Sequence, residues 1–559
     1  MNDPFDWTKQ YHHPTPWDQQ FPPLSLPDML ANSAAKNGQH PMLQFMGRDF
    51  SYSEVHDAVR RVAHGLQKLG IGKDCRVGLF LPNVPHYVAA YYGAMLAGAT
   101  VVNFSPLYTV AELSAQVDDS QTDILFTVSA SALLPTALKV LEQSSLKTLV
   151  VGSIAGGLTP TKAFLYRLFK SAEVTDIPDK PNIIRFSALI DNDGQPAAAP
   201  IDAEKDIALI QYTGGTTGLP KGAMLTHQNL TANARQVNAV DPKPDEDDRI
   251  LGVLPFFHVF ANTCVLNRTV LRGGTITMLP RFEAGQALKA LSRYRCTALP
   301  GVPTMYQALL DHPDLAKTDF SSLRICISGG APMSAELRQK FIDRTGAALV
   351  EGYGLTESSG VVSTNPYDGP VKAGTIGQPL PATRIRLIDK DDPSKMPPPG
   401  EPGELVVKGP QIMQGYWNRP DADGDSFTAD GWLRTGDVAV IDEDGYVRIV
   451  DRLKDMISVG GFKVYPSVIE AVIHEHPAVK EAICLGVPDS YRGEAPKLFV
   501  TLEDGAKNSG DELTTWVNSR LGKHERVVSV EVRAELPKTM IGKLDRKALR
   551  AEQKDLVAG

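Results

Sequence analysis

The chain is poor in the clustered residues that many kinds of site chemistry need. It has five cysteines in 559 residues: Cys75, Cys264, Cys296, Cys326 and Cys484. Their number is odd, their spacing is wide and no C-x-x-C occurs. That excludes a disulfide framework and a cysteine-rich zinc module, and it fits a reducing compartment. G-K-[S/T] is missing, so the P-loop reading fails, and no G-x-G-x-x-G follows an apolar run, so the dinucleotide fingerprint fails too. G-x-S-x-G and H-E-x-x-H are also missing. His474-Glu-His476 reads as a helix surface rather than a metal site. No period of 20–50 residues repeats, which excludes a solenoid. The start, Met1-Asn-Asp-Pro-Phe-Asp, lacks a basic n-region and an apolar h-region, so no signal peptide is expected.

A local lack of charge needs more care. From Val77 to Ala111 there is no Asp, Glu, Lys or Arg. Pro82, Pro85 and Pro106 bracket the apolar part, and Gly93 and Gly98 interrupt it. The pattern predicts a strand at 77–81, a core helix at about 85–97 and a strand at 100–104. Such a helix is too short to span a bilayer.

What is present is ordinary for a globular protein: 42% hydrophobic and 22% charged residues, with a net charge of −8. That balance argues against a chain-wide phosphate-binding surface but leaves room for a local basic patch. Short apolar runs at 208–212, 250–254, 275–279, 297–300 and 324–328 alternate with helix-like stretches, which predicts α/β layers with largely parallel sheets. Near Ile385 shorter strands separated by Asp391-Asp-Pro, Pro397-Pro-Pro-Gly and Glu443-Asp-Gly predict a β-rich subdomain. A small α+β unit of about 100 residues follows Asp451-Arg-Leu-Lys. From 453 to 559 sixteen basic residues balance sixteen acidic ones, and Lys538, Lys543, Arg546, Lys547 and Arg550 crowd around one acid, Asp545. That end is either a solvated helix end or a positive tip that meets a polyphosphate.

The most informative segment runs from Tyr212 to His227. Gly214, Gly215 and Gly218 let the backbone turn sharply and aim several N–H groups at one point. Thr213, Thr216 and Thr217 add hydroxyls, and Lys221 adds a point charge. Such a loop suits phosphate oxygens.

In order along the chain stand this loop, Glu351-Gly-Tyr-Gly-Leu-Thr-Glu357, Thr435-Gly-Asp437, Asp451-Arg-Leu-Lys454 and Leu536-Pro-Lys-Thr-Met-Ile-Gly-Lys543. Together they resemble the adenylate-forming superfamily of acyl-CoA synthetases, peptide-synthetase adenylation domains and luciferases, over about 25–549. Leu209 to Gly218, Asn365-Pro-Tyr-Asp and Gly409-Pro-Gln-Ile-Met-Gln-Gly-Tyr-Trp look most like bacterial long-chain fatty acyl-CoA synthetases.

The resemblance implies a large N-terminal adenylation domain (1–451) of layered α/β subdomains plus the β-rich subdomain. A mobile α+β C-terminal domain (452–559) would pivot near Lys454. It implies ATP, Mg²⁺ and coenzyme A, and two steps through an acyl-adenylate. Lys543 matches the catalytic lysine, and the loop Thr213–Lys221 would hold the β- and γ-phosphates. Thr356 would contact the α-phosphate, and Glu357, with Thr213, would hold Mg²⁺. Tyr353 would stack on adenine, flanked by Gly330, Ala331, Glu351 and Gly352. Asp437 and Arg452 would meet the ribose, and Gly460 and Gly461 would line a pantetheine tunnel. His258, counted among the catalytic residues, would line the acyl pocket with Phe260 and Gly301-Val-Pro303. That lining has no charge to pair with an amino-acid substrate, which favours an apolar acyl or aryl group.

The expected function is activation of a medium- to long-chain fatty acid. The alternatives are an aryl or cinnamate-type acid:CoA ligase, or a fatty acyl-AMP ligase that loads a carrier protein. Small molecules are the expected partners, with no nucleic acid, and a homodimer is left open. Lys162, Phe164, Leu165, Arg167, Leu168, Phe169 and Lys170 have the spacing of a basic amphipathic helix. It would either rest on the inner face of the plasma membrane or pack on the core of a cytoplasmic protein.

Overall fold

The computed structural model describes residues 7–157, 173–213, 220–244, 246–389, 392–398, 400–460, 462–489, 491–538 and 544–558. Contacts divide the chain into two units. The larger comprises Thr8–Arg384 with Lys408–Asp425, and the smaller is mainly Ile385–Val407 with Ser426–Gly559.

In the larger unit the uncharged stretch folds as its pattern predicts. Strand Arg76–Leu79 leads to helix Pro85–Leu96 and then to strand Thr100–Asn103. Pro85 opens the helix, where its missing N–H costs nothing. The helix is apolar all round and buries Tyr87 through Met95, as a core helix must. Gly93 lets Val62 of the neighbouring helix approach; a Cβ there would lie 2.6 Å from that side chain. The buried hydroxyls of Tyr87, Tyr91 and Tyr92 donate to Asn103, Asn262 and Asn267, so each phenol is satisfied in the interior. No described helix is long and apolar enough to cross a membrane.

Two sheets organise this unit. In one, strands Ala348–Tyr353, Ile325–Gly329, Ala298–Gly301, Arg249–Gly252, Thr275–Met278 and Pro41–Phe45 run parallel in that order, with short antiparallel strands at both edges. In the other, Ile207–Thr213, Thr100–Asn103, Arg76–Leu79, Ile124–Val128, Thr148–Gly152 and Ile183–Arg185 are parallel. Lys221–Thr226 and then Gly415–Tyr416 extend it antiparallel at one edge. All five apolar runs read from the sequence form strands.

Beneath the first sheet lies a buried ionic knot. Asp241 accepts from Arg268 at 2.8 Å, from Arg324 at 2.9 Å and from Arg272, while Arg268 also bonds both oxygens of Asp248 at 3.1 Å. Burial pushes the Asp241 carboxyl up, but the Arg324 hydrogen bond and the Arg268 charge outweigh it and hold the pKa at about 2. The stability Asp241 contributes is therefore present above its ordinary value and lost as pH falls through about 2.

The smaller unit contains a β-rich sheet, Arg384–Ile388, Gly403–Lys408, Leu433–Ile441 and Val447–Arg452, where the sequence changes style. It also contains an α+β body. There Phe462–Val464, Ile457–Val459, Gly493–Leu502 and Val479–Asp489 form a sheet, and Val530–Val532 pairs parallel to Gly493–Leu502. Helices Pro466–His474 and Gly510–Asn518 bury Ile469, Ile473, Leu513 and Val517 against this sheet.

Candidate active site

In the first sheet of the larger unit, parallel register sets Ser328 opposite Glu351 and Gly329 opposite Gly352. The carboxyl ends of these strands therefore deliver Gly330-Ala331 and Tyr353 to one edge, the usual place for a ligand in an α/β sheet. Gly330 turns there with φ +82°, a conformation that favours glycine. The Glu351 carboxylate accepts from Met333 N at 2.6 Å, which fixes the loop after Gly330. Burial raises the Glu351 pKa to about 6, against that hydrogen bond and the charge of Arg338. After Tyr353 the chain doubles back so closely that a Cβ on Gly354 would lie 2.1 Å from the Gly360 carbonyl oxygen. This turn places Thr356 and Glu357 on a single 3₁₀ turn, Thr356–Ser358.

The second sheet carries the residues expected at the phosphates. Strands Ile207–Thr213 and Lys221–Thr226 pair antiparallel with Thr213 opposite Lys221, so the Thr/Gly loop is closed at its base. Thr213 Oγ1 donates to the Lys221 carbonyl at 3.4 Å. Gly214, Gly215, Thr216 and Thr217 lie outside the described residues, as do Gly461, Lys543 and the amphipathic segment 162–170.

The next strand, Gly415–Tyr416, pairs with Lys221–Thr226. The Tyr416 hydroxyl donates to Glu357 Oε1 at 2.6 Å, and Lys221 Nζ lies 5.2 Å from the centroid of the same ring. One tyrosine thus joins the two charged residues expected at the metal and the phosphates. Sequence reading gave Tyr416 no role. Its only signal was its place in the Gly409–Trp417 segment quoted for resemblance.

Among the described residues no group of three or more His, Cys, Asp or Glu side chains could hold a metal ion. A lone carboxylate, Glu357, linked through one ring to Lys221, the lysine expected at the phosphates, fits Mg²⁺. That ion takes one or two carboxylates and completes its shell with phosphate oxygens and water.

The smaller unit carries the rest. Asp437 lies opposite Arg452 across two antiparallel strands, with Nε and Oδ1 3.2 Å apart. Asp437 is buried while Arg452 is half-exposed. The preceding Gly436 turns at φ +70°, and its N–H is held by Glu404, which also pairs with Arg434. Lys454 is exposed on the 3₁₀ turn Leu453–Asp455. Gly460 has φ +59°, and a Cβ there would meet nothing within 4 Å. Among the described residues, then, the backbone conformation rather than crowding demands glycine at this position. The residues on either side of the Lys543 segment are tied together: Lys538 bridges Leu544, Asp545 N donates to Pro537 O at 2.7 Å, and Arg546 pairs with Glu470.

On the acyl side, His258 Nδ1 accepts from Phe260 N at 3.2 Å and caps the turn Val259–Ala261. The Phe260 ring packs so close to Gly329 that a Cβ there would lie 3.0 Å from it. An interior cavity nearby is lined by Val237, Cys264, Arg268, Pro300, Ile327 and Tyr367 among others.

Comparison with known proteins agrees with this layout. Residues 30–417 match the AMP-binding enzyme family, and residues 468–543 match the AMP-binding enzyme C-terminal domain. A long-chain-fatty-acid–CoA ligase of Bacillus subtilis (strain 168) is 39% identical over 552 residues, covering 98% of both chains. A feruloyl-CoA synthase of Amycolatopsis sp. is 38% identical over 500 residues, covering 89% of this chain and 93% of that one. The crystal structure of ATP-bound MatB from Rhodopseudomonas palustris superposes with a TM-score of 0.82 at 29% identity, covering 95% of this chain and all of that one. The chain therefore belongs to the AMP-binding enzyme family, as an acyl-CoA ligase closely related to the bacterial long-chain-fatty-acid–CoA ligases.

Proposed function

We propose that the chain activates a medium- to long-chain fatty acid with ATP and transfers the acyl group to coenzyme A. In the first step a carboxylate oxygen attacks the α-phosphorus, the bond to the bridging oxygen breaks, and pyrophosphate leaves. In the second, the coenzyme A sulfur, having given up its proton, attacks the acyl carbon of the adenylate and AMP leaves. The protein's work in the first step is positioning and charge stabilisation. Lys221 and the Thr213–Lys221 loop hold the leaving phosphates, and Thr356 and Lys543 meet the α-phosphate oxygens. Tyr353 covers adenine beside Gly330, Ala331, Glu351 and Gly352. Asp437, with lone pairs for a vicinal diol, takes the ribose with Arg452. Glu357 and Thr213 would hold Mg²⁺, which would supply positive charge to the phosphate oxygens.

The 452–559 domain serves the two steps in turn, pivoting at Lys454 against the 1–451 domain. One face presents Lys543, and the other presents Gly460 and Gly461 to the pantetheine arm. His258 and Phe260 border the acyl group. The enzyme works in the cytoplasm and takes its acid at the membrane surface through the 162–170 segment.

The observation that supports the reading is the joining of Lys221 and Glu357 through Tyr416, since a metal-bound polyphosphate would need both a cation and a carboxylate beside it. A second reading, an aryl-acid ligase, is favoured by the 38% identity to a feruloyl-CoA synthase. AMP release across a panel of C6–C18 fatty acids and cinnamates, with and without coenzyme A, tests both. Long-chain acids should give the highest kcat/KM, with turnover dependent on coenzyme A. A preference for cinnamates would establish the second reading. Turnover on a carrier protein but not on coenzyme A would refute both.

A further inference from the structure

The link between Glu357 and Lys221 is held from outside. Tyr416 is 8% exposed and sits on a two-residue strand fastened at each end. Its own N–H donates to Asp423 Oδ1 at 2.7 Å. Just beyond it, Trp417 Nε1 donates to the Asp119 carbonyl at 3.0 Å, and Arg419 pairs with the Asp119 carboxylate. The other oxygen of that carboxylate accepts from the Tyr212 hydroxyl at 2.6 Å. Tyr212 immediately precedes Thr213, where the phosphate loop begins. Asp119 thus clamps the root of that loop and the strand bearing Tyr416 to the same helix, Val110–Ser120.

A carboxylate that must receive a metal ion gains from a fixed plane. A phenol donating to one of its oxygens makes a short, charge-assisted hydrogen bond of the strong class. A lysine over the same ring is held by the ring's negative face while keeping its ammonium available. We propose that Tyr416 is a positioning residue that couples metal binding to phosphate binding. Its hydroxyl orients Glu357 for Mg²⁺ and its ring holds Lys221 for the phosphates, with Asp119 anchoring the pair. This rests on the reading of Glu357 and Lys221 given above.

The two contacts separate by mutation. Tyr416→Phe removes the hydrogen bond and keeps the ring, whereas Tyr416→Leu removes both. The probe is an ATP analogue with a methylene between the α- and β-phosphorus, titrated by calorimetry with Mg²⁺ or with EDTA. Wild type should bind at least tenfold more tightly with Mg²⁺. Tyr416→Phe should erase about tenfold of that gain, the size of a lost hydrogen bond to a charged group, and leave the EDTA affinity within about twofold. Its KM for the fatty acid should stay unchanged. Tyr416→Leu should also weaken binding in EDTA. If wild type shows no Mg²⁺ gain, the metal role of Glu357 fails and the inference falls with it. If wild type shows the gain and Tyr416→Phe either keeps all of it or loses affinity equally in both buffers, the inference alone is overturned. The isosteric Phe variant decides the matter even if the Leu variant does not fold.

Discussion

In the larger unit, Glu357, Glu351 and Asp241 each accept a hydrogen bond of 2.6–2.8 Å from a residue distant in sequence or held on another strand or loop. In the smaller unit, Arg452, Lys454 and Gly460 stand exposed on strand ends and turns. Asp241 belongs to the buried ionic knot; for the others the difference follows from what each set would do on the proposed function. Groups that receive a polyphosphate and a metal gain by being fixed before the ligand arrives. A hinge and a surface used in only one of two steps need residues that can change dihedral angle or solvent contact without breaking a packed core. The smaller unit is not loose throughout. Its sheet and helices bury Ile457, Ile469, Leu498 and Leu513 completely or nearly so, and Arg546 and Arg550 tie its last helix to Glu470 and Asp455. Mobility is thus expected between bodies rather than within them.

The largest expected effect tests the fixed side. Arg268→Met takes the arginine from both oxygens of buried Asp248 and leaves Asp241 with Arg324 and Arg272, and breaking such a buried pair costs about 3–5 kcal/mol. Denaturant melts of the variant should show a loss of that size. A loss under 1 kcal/mol would mean that the knot contributes little and that the larger unit's rigidity has another source.

The next tests the mobile side. Lys454→Pro restricts φ to near −65° and removes an N–H. Thioester formation should fall by about a hundredfold, or roughly 2.7 kcal/mol, while adenylation stays close to wild type. Normal rates for both steps would place the pivot elsewhere.

The smallest effect concerns Glu351. Its folded pKa of about 6 exceeds the ordinary 4.5. The folded state therefore holds a proton more tightly than the unfolded chain. Stability should fall by about 2 kcal/mol as pH rises from about 4.5 to 6, and the loss should persist above that. Glu351→Gln keeps an acceptor for Met333 and should flatten that slope in melts taken from pH 4 to 7. An unchanged slope would assign the titration to another group.

Much of this was legible in the sequence, and for identifiable reasons. The Pro85–Leu96 helix could be read because its bracketing prolines and lack of charge left one short apolar element possible. The five strand runs could be read because parallel strands buried on both faces are apolar throughout. The Thr213–Lys221 loop announced itself by composition. Tyr416 was hidden because its meaning lies in Glu357, 59 residues away, and in a ring contact with Lys221 across a strand pairing. Arg268 was hidden likewise: an arginine in an apolar helical stretch gives no sign that Asp241 and Asp248 converge on it. Gly460 was read as lining a pantetheine tunnel, and the fold adds a reason for glycine that the sequence did not show, a backbone held at positive φ. Local pattern reveals elements and loops, while pairings over long sequence distances become visible only in the fold.

On the proposed function, a fixed nucleotide cradle is served in turn by two faces of the moving 452–559 domain. Measuring both half-reactions of Lys543→Ala tests it most directly. Formation of acyl-adenylate from acid and ATP should fall by at least a thousandfold, while thioester formation from supplied acyl-adenylate and coenzyme A should remain within a few fold of wild type. Equal loss of both steps in a protein that melts like wild type would contradict the account.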